Sequence, residues 1–242
     1  MREWRAGCFD ACITDPPYNM SRRKGLKWAF SSHVTMEQRW DRFSNDDYLK
    51  FTEAWLAEVC RLVRRDGNLL VFGSFHNVYA IGFVLEHVLN RRILQQVTWF
   101  KPNAQPNITT RLPTESTEYV IWACNNTPEH ASHWTFNYAV SKEIGGGKQL
   151  RNMWPIPCTP RSEREAGSHP AQKPLALLNR MLRLWTVPGD RVLDCFLGTG
   201  TTAIAASKLK RAWVGIENDL AYVKIAEQRL AATSSERNDV AK

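Results

Sequence analysis

Short apolar runs that read as strands alternate along this chain with stretches of helical period, and that rhythm excludes most architectures. Asp10–Thr14, Asn68–Gly73, Ile93–Phe100, Tyr119–Ala123, Arg191–Phe196 and Trp213–Glu217 are strand-like. Between the first two, Tyr48, Phe51, Trp55, Leu56, Val59 and Leu62 recur at helical spacing, with Ser44 or Asn45 available as an N-cap. Val78–Leu89, Pro174–Trp185, Thr201–Leu209 and a final segment capped by Asp219 and running to about Ala231 read the same way. Strands separated by helices predict an α/β fold with a mostly parallel, doubly wound sheet. Residues 125–168, with Gly145-Gly146-Gly147 and four prolines between 155 and 170, are expected to be irregular, and the polar tail 233–242 to fray.

Some function classes drop out early. The chain has no apolar run of about 18 residues, the minimum for a membrane-spanning helix, and no signal-peptide core follows Met1, so a cytoplasmic protein is expected. Its six cysteines form no Cys-x-x-Cys pair and no His cluster completes a zinc pattern, so they read as reduced, mostly buried thiols with no metal site. A net charge of +8 favours a polyanionic partner, and residues 19–45 mix Arg22, Arg23, Lys24, Lys27, Arg39 and Arg42 with Trp28, Phe30, Trp40 and Phe43. Any single cation there is more readily a solvated surface charge than a base contact. Of ten tryptophans, most are expected in the core and a few as stacking surfaces for a base.

Two motifs carry chemistry. In the first, a strand runs into Gly198-Thr199-Gly200 and then a helix, the layout of a nucleotide-binding turn. The glycines permit a tight turn and close approach of a ligand to the backbone. Glu217, about 20 residues on at the end of the next strand, can accept hydrogen bonds from both hydroxyls of a ribose. An ordinary strand-to-helix turn would explain the glycines but not the acid. The third glycine of a dinucleotide fingerprint is missing, which points to a mononucleoside cofactor.

The second motif is Asp15-Pro16-Pro17-Tyr18, directly after a buried strand. Asp-Pro opens many turns, and Tyr18 alone could be a packing residue. Read together, however, the four residues form a rigid loop at the end of a strand where ligands of such sheets sit. The Asp15 carboxylate and the Pro16 carbonyl can both accept from one amino group, and Tyr18 offers a face for a base. Two acceptors on an aromatic amine draw its nitrogen toward tetrahedral geometry and localise the lone pair for attack. Asp15 also stabilises the positive charge that develops on that nitrogen.

With these motifs in hand, the chain resembles the β group of DNA amino-methyltransferases, found in restriction–modification systems and as solitary bacterial and phage enzymes. Thr14-Asp15-Pro16-Pro17-Tyr18-Asn19 is similar to the family's catalytic motif. His169-Pro170-Ala171-Gln172-Lys173-Pro174 is similar to its His-Pro-Thr-Gln-Lys-Pro segment, and Asp194-Cys195-Phe196-Leu197-Gly198-Thr199-Gly200-Thr201-Thr202 to its Asp-Pro-Phe-x-Gly-Ser-Gly-Thr-Thr turn. The order, catalytic loop first and cofactor turn last, is the permutation that marks the β group.

The resemblance implies a Rossmann-like methyltransferase fold with S-adenosylmethionine as cofactor. It implies Asp15, Pro16, Pro17 and Tyr18 as catalytic residues. Asp194, Phe196, Gly198, Gly200, Thr201, Thr202, Glu217, His169, Gln172 and Lys173 would hold the cofactor. It further implies a duplex DNA partner with one base flipped out, a mobile DNA loop over 19–45, a target-recognition region over about 100–168 and a possible homodimer, all within one methyltransferase domain spanning 1–242. Asp-Pro-Pro-Tyr goes mainly with adenine N6 in this family and Ser-Pro-Pro-Tyr with cytosine N4. Cytosine N4, RNA adenine or a protein amide stay open as targets, as does a DNA-binding module without turnover.

Three departures stand out. Cys195 replaces a proline and Ala171 a threonine. The family's Gly-Asp strand ahead of the catalytic strand is expected to be absent or shortened, since only 12 residues precede Ile13.

Overall fold

A computed structural model of the chain describes residues 1–20, 41, 43–107, 111–167 and 169–240, with 234–240 as backbone. Most of the basic, aromatic stretch read from 19–45 lies outside the described residues.

Seven strands make one sheet: β1 (Phe9–Thr14), β2 (Val63–Gly73), β3 (Arg92–Phe100), β4 (Thr117–Cys124), β5 (Met153–Pro155), β6 (Arg191–Asp194) and β7 (Ala212–Gly215). Their order is β5-β3-β4-β2-β1-β6-β7. Four of the six neighbouring pairs are parallel (β1 with β2, β1 with β6, β6 with β7, β3 with β5), and β4 runs antiparallel to both β2 and β3. The mostly parallel expectation therefore holds for the half that carries the motifs, and an antiparallel hairpin extends it. Among the described residues no strand precedes Phe9; residues 1–8 form turns.

The helices are α1 (Asn45–Leu62), α2 (Val78–Phe83, continued by a π-turn over Val84–Val88), α3 (Tyr138–Ile144), α4 (Leu175–Trp185), α5 (Thr201–Lys208) and α6 (Leu220–Val240). They cover both faces of the sheet. On one face Cys12, Leu69, Val71 and Leu193 pack against Trp55, Leu56 and Val59 of α1 and Ile81 of α2. On the other, Ile13, Leu70, Phe72 and Val192 pack against Leu177, Leu178 and Met181 of α4 and Ala205 of α5. Successive side chains of a strand point to opposite faces, so runs such as Leu69-Leu70-Val71-Phe72 must be apolar throughout when both faces are covered. That is the physical content of the doubly wound reading.

Local chemistry sets the helix starts. Ser44 accepts from the Asp47 N–H at 3.2 Å and caps α1, a contact worth about 1 kcal/mol. Asp219 accepts from the Ala221 N–H at 2.8 Å and opens α6. Pro174 sits just ahead of α4 as its N-cap rather than inside its first turn.

Several boundaries differ from the sequence expectation. α1 stops at Leu62, and the chain turns straight into β2, five residues before Asn68; Asp66 takes a positive φ of 64° inside that strand. The region 125–168 is not wholly irregular. It contains α3, β5 and a 3₁₀ turn over Arg161–Arg164. β7 ends at Gly215, so Glu217 lies two residues past the strand instead of closing it. α6 continues to Val240 where fraying was expected. All six cysteines are free, and Cys12, Cys60, Cys124 and Cys195 are buried. Five of the ten tryptophans (Trp55, Trp99, Trp122, Trp154 and Trp185) are in the core, while Trp28 and Trp40 fall outside the described residues.

Candidate active site

Three neighbouring strands deliver the motifs to one edge of the sheet. β1 ends at Thr14 and leads into Asp15-Tyr18, β6 ends at Asp194 and leads into the glycine turn, and β7 leads to Glu217. The Thr14 hydroxyl donates to Asp194 Oδ1 at 2.8 Å and accepts from the Cys195 N–H at 3.1 Å, so the catalytic strand and the cofactor strand are tied at the point where both motifs begin. Asp194 also accepts from the Phe196 N–H at 3.1 Å. Burial pushes the Asp194 carboxyl up to about 6, against hydrogen bonds from Thr202, Thr14 and the Phe196 backbone.

The glycine turn has the geometry its sequence demands. Gly198 and Gly200 have φ of 54° and 81°, values that L side chains rarely adopt. A Cβ on Gly200 would come within 2.9 Å of Ala226 Cβ on α6, so only glycine lets the turn seat on that helix. A Cβ on Gly198 would meet no protein atom within 4 Å, because Gly198 faces a cavity.

That cavity has a volume of about 410 Å³, inside the range of small-ligand sites. Gly198, Thr201, Thr202, Glu217 and Tyr222 line one part of it, and Thr14, Asp15, Pro17 and Lys173 another. Glu217 Oε2 accepts from the Gly198 N–H at 2.8 Å, and Oε1 from the N–H groups of Asn218 and Asp219, both at 2.9 Å. A carboxylate has about four acceptor positions and three are taken by these N–H groups, so about one is left for a ribose hydroxyl. Phe43, Phe51 and Phe196 add apolar walls. The donor set, the open face at Gly198 and the volume fit an adenosine-containing methyl donor.

The His-Pro-x-Gln-Lys-Pro segment divides its labour. Gln172 Oε1 accepts from the Thr199 hydroxyl at 3.1 Å and steadies the glycine turn. His169 lines the cavity and meets the Tyr222 ring edge-on with centroids 4.5 Å apart. Its Nδ1 accepts from the Ala171 N–H at 3.1 Å. Burial and the nearby Lys173 charge push the His169 imidazole down to about 4, so it is neutral at physiological pH. Lys173 borders the cavity, yet its ammonium is directed at the catalytic loop. Nζ lies 2.5 Å from Asp15 Oδ2, 3.2 Å from Glu118 Oε2 and 3.2 Å from the Ala171 carbonyl.

Around Asp15 the structure assembles four charges that sum to zero: Asp15, Lys173, Glu118 and Lys101. Lys101 Nζ reaches Glu118 Oε1 at 3.2 Å, and the Tyr18 hydroxyl donates to Glu118 Oε2 at 3.0 Å. Burial raises the Asp15 carboxyl above its ordinary value; Lys173 opposes that rise and Glu118 adds to it. Burial also disfavours the Glu118 charge, but Lys173 and Lys101 outweigh it and hold that carboxyl below its usual range. Burial and the two carboxylates push the Tyr18 phenol well up.

Asp15 Oδ1 is a buried acceptor without a hydrogen-bond partner among the described residues. Such an atom costs of order 1–3 kcal/mol when left unpaired. Its counterpart Oδ2 is occupied by Lys173.

The rest of the loop is braced. The Pro17 carbonyl accepts from the Tyr48 hydroxyl at 2.8 Å and from Asn77 Nδ2 at 3.4 Å, while no hydrogen bond among the described residues falls on the Pro16 carbonyl. Tyr18 is buried and does not line the cavity; the Lys173 ammonium lies 5.2 Å from its ring centroid. The Asp41 carboxylate accepts from the N–H groups of Asn19 at 2.6 Å and Met20 at 2.9 Å, holding the loop's exit.

Sequence reading missed Glu118, Arg229, Tyr48 and Asn77. Arg229 on α6 is buried and donates to the Thr199 carbonyl at 2.5 Å and the Thr201 hydroxyl at 3.2 Å, bracing the cofactor turn from behind. Glu118 carried a usable signal: it is the one charged residue in the strand Thr117–Cys124, and a charge there needs partners.

Comparison with known proteins agrees with this geometry. Residues 9–228 match the family model N6_N4_Mtase, described as DNA methylase. The chain is 36% identical over 226 residues to the type II methyltransferase M2.DpnII of Streptococcus pneumoniae, covering 93% of this chain and 83% of that protein. It is 35% identical over 231 residues to M2.MboI of Moraxella bovis, covering 95% and 83%. Among solved structures, M1.HpyAVI in complex with SAM superposes with a TM-score of 0.67 at 28% identity, over 92% of this chain and 88% of that one. The cytosine-N4-specific PvuII DNA methyltransferase shares the fold at a TM-score of 0.70 and 17% identity, over 96% and 87%.

Proposed function

The chain belongs to the DNA methylase family, and from that premise we propose that the atom it methylates is N6 of an adenine turned out of the duplex. It is a site-specific DNA methyltransferase that uses S-adenosylmethionine. One observation carries the adenine reading: a carboxylate, Asp15, stands at the end of the catalytic strand with one oxygen fixed by Lys173 and the other buried beside the donor cavity with no hydrogen-bond partner among the described residues. Its family resemblance, aspartate in place of serine in this loop, points the same way.

When bound, S-adenosylmethionine supplies a methyl group activated by its sulfonium. The chain does the rest by placement. Glu217, Gly198 and the turn behind it seat the nucleoside, with Gln172 and Arg229 keeping that turn in shape. Asp15 Oδ1 accepts one N–H of the target amine and the Pro16 carbonyl the other, which localises the nitrogen lone pair. Tyr48 and Asn77 hold the neighbouring Pro17 carbonyl, so the loop does not reorganise as the amine arrives. The Thr14–Asp194 tie fixes the spacing between acceptor and donor seat. Holding two reactants in line in this way accounts for much of the acceleration of such enzymes, and a preorganised anion at the nitrogen where charge appears adds to it.

A base inside a duplex cannot reach a loop at a sheet edge, so the target is extruded from the stack. Residues from about 100 to 168 are the proposed target-recognition region. Residues 19–45 are the proposed DNA-facing loop, and a homodimer is the proposed assembly. The protein acts in the cytoplasm on this reading; among the described residues no helix is long and apolar enough to cross a membrane.

The test is product analysis. Duplexes methylated by the protein from labelled S-adenosylmethionine are digested to nucleosides, with N6-methyldeoxyadenosine expected. Label found only in N4-methyldeoxycytidine, or transferred to RNA and not DNA, overturns the adenine reading.

A further inference from the structure

Glu118 touches neither the cavity nor the target amine's place, yet it sits at the centre of the charge cluster. Its Oε2 meets Lys173 Nζ at 3.2 Å and the Tyr18 hydroxyl at 3.0 Å, and its Oε1 meets Lys101 Nζ at 3.2 Å. Lys173, in turn, is 2.5 Å from Asp15 Oδ2. The two carboxylates therefore share one ammonium. We propose that Glu118 is a positioning residue for methyl transfer: by competing with Asp15 for Lys173, it sets the proton affinity of Asp15 and keeps Oδ1 turned to the amine. The inference deepens the amine-acceptor reading of Asp15 and rests on it.

The physical case has two parts. An isolated Asp15–Lys173 pair would be a tight ion pair, with the carboxylate's charge spent on the ammonium and little left for the amine. A second carboxylate on the same ammonium draws part of that interaction away, and Asp15 becomes the better acceptor. Tyr18 and Lys101 keep Glu118 from taking Lys173 altogether. Geometry enforces the arrangement. β4 is antiparallel to β2 with Tyr119 opposite Gly73, so the first residues of β4 lie at the same sheet edge as the last residues of β1. Lys101, just past β3, is pinned there by its N–H to the Ser116 carbonyl at 2.7 Å.

The proton left on the methylated nitrogen completes the account. The N–H bond breaks and its proton passes to Asp15 Oδ1, giving a neutral N-methyl amine and a neutral carboxyl. That carboxyl returns its proton to water when product leaves. A carboxylate whose proton affinity is raised by burial and by Glu118 accepts that proton more readily. The charged and titratable groups facing Asp15 are Lys173 on the segment before α4, Glu118 on β4, Tyr18 on its own loop, Asp194 on β6 and Tyr48 on α1.

The test reads Asp15 directly. Carboxyl carbon-13 NMR of the donor-free protein, with Asp15→Asn used to assign the resonance, gives the midpoint of its titration. Glu118→Gln removes the competing charge and should lower that midpoint by about one pH unit. Lys101→Gln frees Glu118 to pull harder on Lys173 and should raise it by about half a unit.

Single-turnover methyl transfer should follow, with the acid limb of the rate moving in the same directions and the Glu118→Gln plateau falling about tenfold. The donor's dissociation constant should change less than threefold, an outcome a collapsed site would not give. If Glu118→Gln does not fold, judged by its melting transition, Lys101→Gln alone decides. Midpoints unmoved in the folded variants overturn the inference. The NMR readout needs no substrate, so it stands or falls separately from which base the wild-type protein methylates.

Discussion

The two halves of the sheet reach the same edge by different means. In the parallel half, β1, β6 and β7 all point their carboxyl ends at the cavity, and each contributes a motif: Asp15, the Gly198–Gly200 turn and Glu217. In the antiparallel half, β3 ends at that edge and β4 begins there, so the contributions are single residues at strand margins, Lys101 and Glu118. On the proposed mechanism the parallel half builds the seat and the acceptor, and the antiparallel half sets the electrostatics behind the acceptor. Loops beyond parallel strands are where such folds keep their ligands. A reversed strand adds a residue to the same place without adding a loop.

The sharpest way to break this contrast is to remove the acceptor. Asp15→Ala should lower methyl transfer by at least about a thousandfold, as expected for loss of a group aligned with developing charge. DNA binding by gel shift should stay within a few-fold. Turnover near the wild-type level would mean the parallel half supplies only the seat.

Removing the seat instead should separate binding from chemistry. Glu217→Ala deletes the proposed ribose acceptor and three backbone hydrogen bonds. Calorimetry should show donor affinity reduced by about ten- to a hundredfold, as for loss of a charged hydrogen-bond partner. An unchanged dissociation constant would assign the nucleoside elsewhere.

The smallest effect concerns the joint between the two motifs. Asp194 carries a carboxyl raised to about 6 by burial. A raised carboxyl favours the folded state fully below its unfolded value near 3.9 and loses that contribution as pH climbs through about 6. Asp194→Asn keeps an acceptor for Thr14 without the charge. Its stability relative to wild type should therefore improve from pH 4 to pH 7, by about 1–3 kcal/mol. A difference independent of pH, measured by denaturant titration at both ends, would show that folding does not raise the Asp194 carboxyl.

What could be read from the sequence tracks the same division. The parallel half announces itself because its strands are apolar on both faces and its loops carry Asp15-Pro16-Pro17-Tyr18 and Gly198-Thr199-Gly200. Glu118 is different. Its meaning depends on Lys173 and Lys101, 55 residues after it and 17 before, and only the fold brings them within 3.2 Å. Arg229 likewise looks like one more surface cation of a helix until α6 is packed on the glycine turn. β5 is three residues long and ends in Pro155, and α3 has seven residues, too few for a period to show. The resemblance of its segment to the family's His-Pro-Thr-Gln-Lys-Pro motif assigns Lys173 to the cofactor; the direction of its side chain is not in the spacing.

The hydrogen bond between Thr14 and Asp194 joins residues 180 positions apart, and it has a consequence for how the protein comes into being. During synthesis the catalytic strand must wait for about 180 further residues before β6 exists to pair with it. Parallel pairing over such separations is slow to form, since the closure of a long loop precedes any gain from contact. A nascent or truncated chain lacking β6 lacks the glycine turn that follows it, so it cannot mark DNA. Competence arrives when the catalytic strand and the cofactor strand meet.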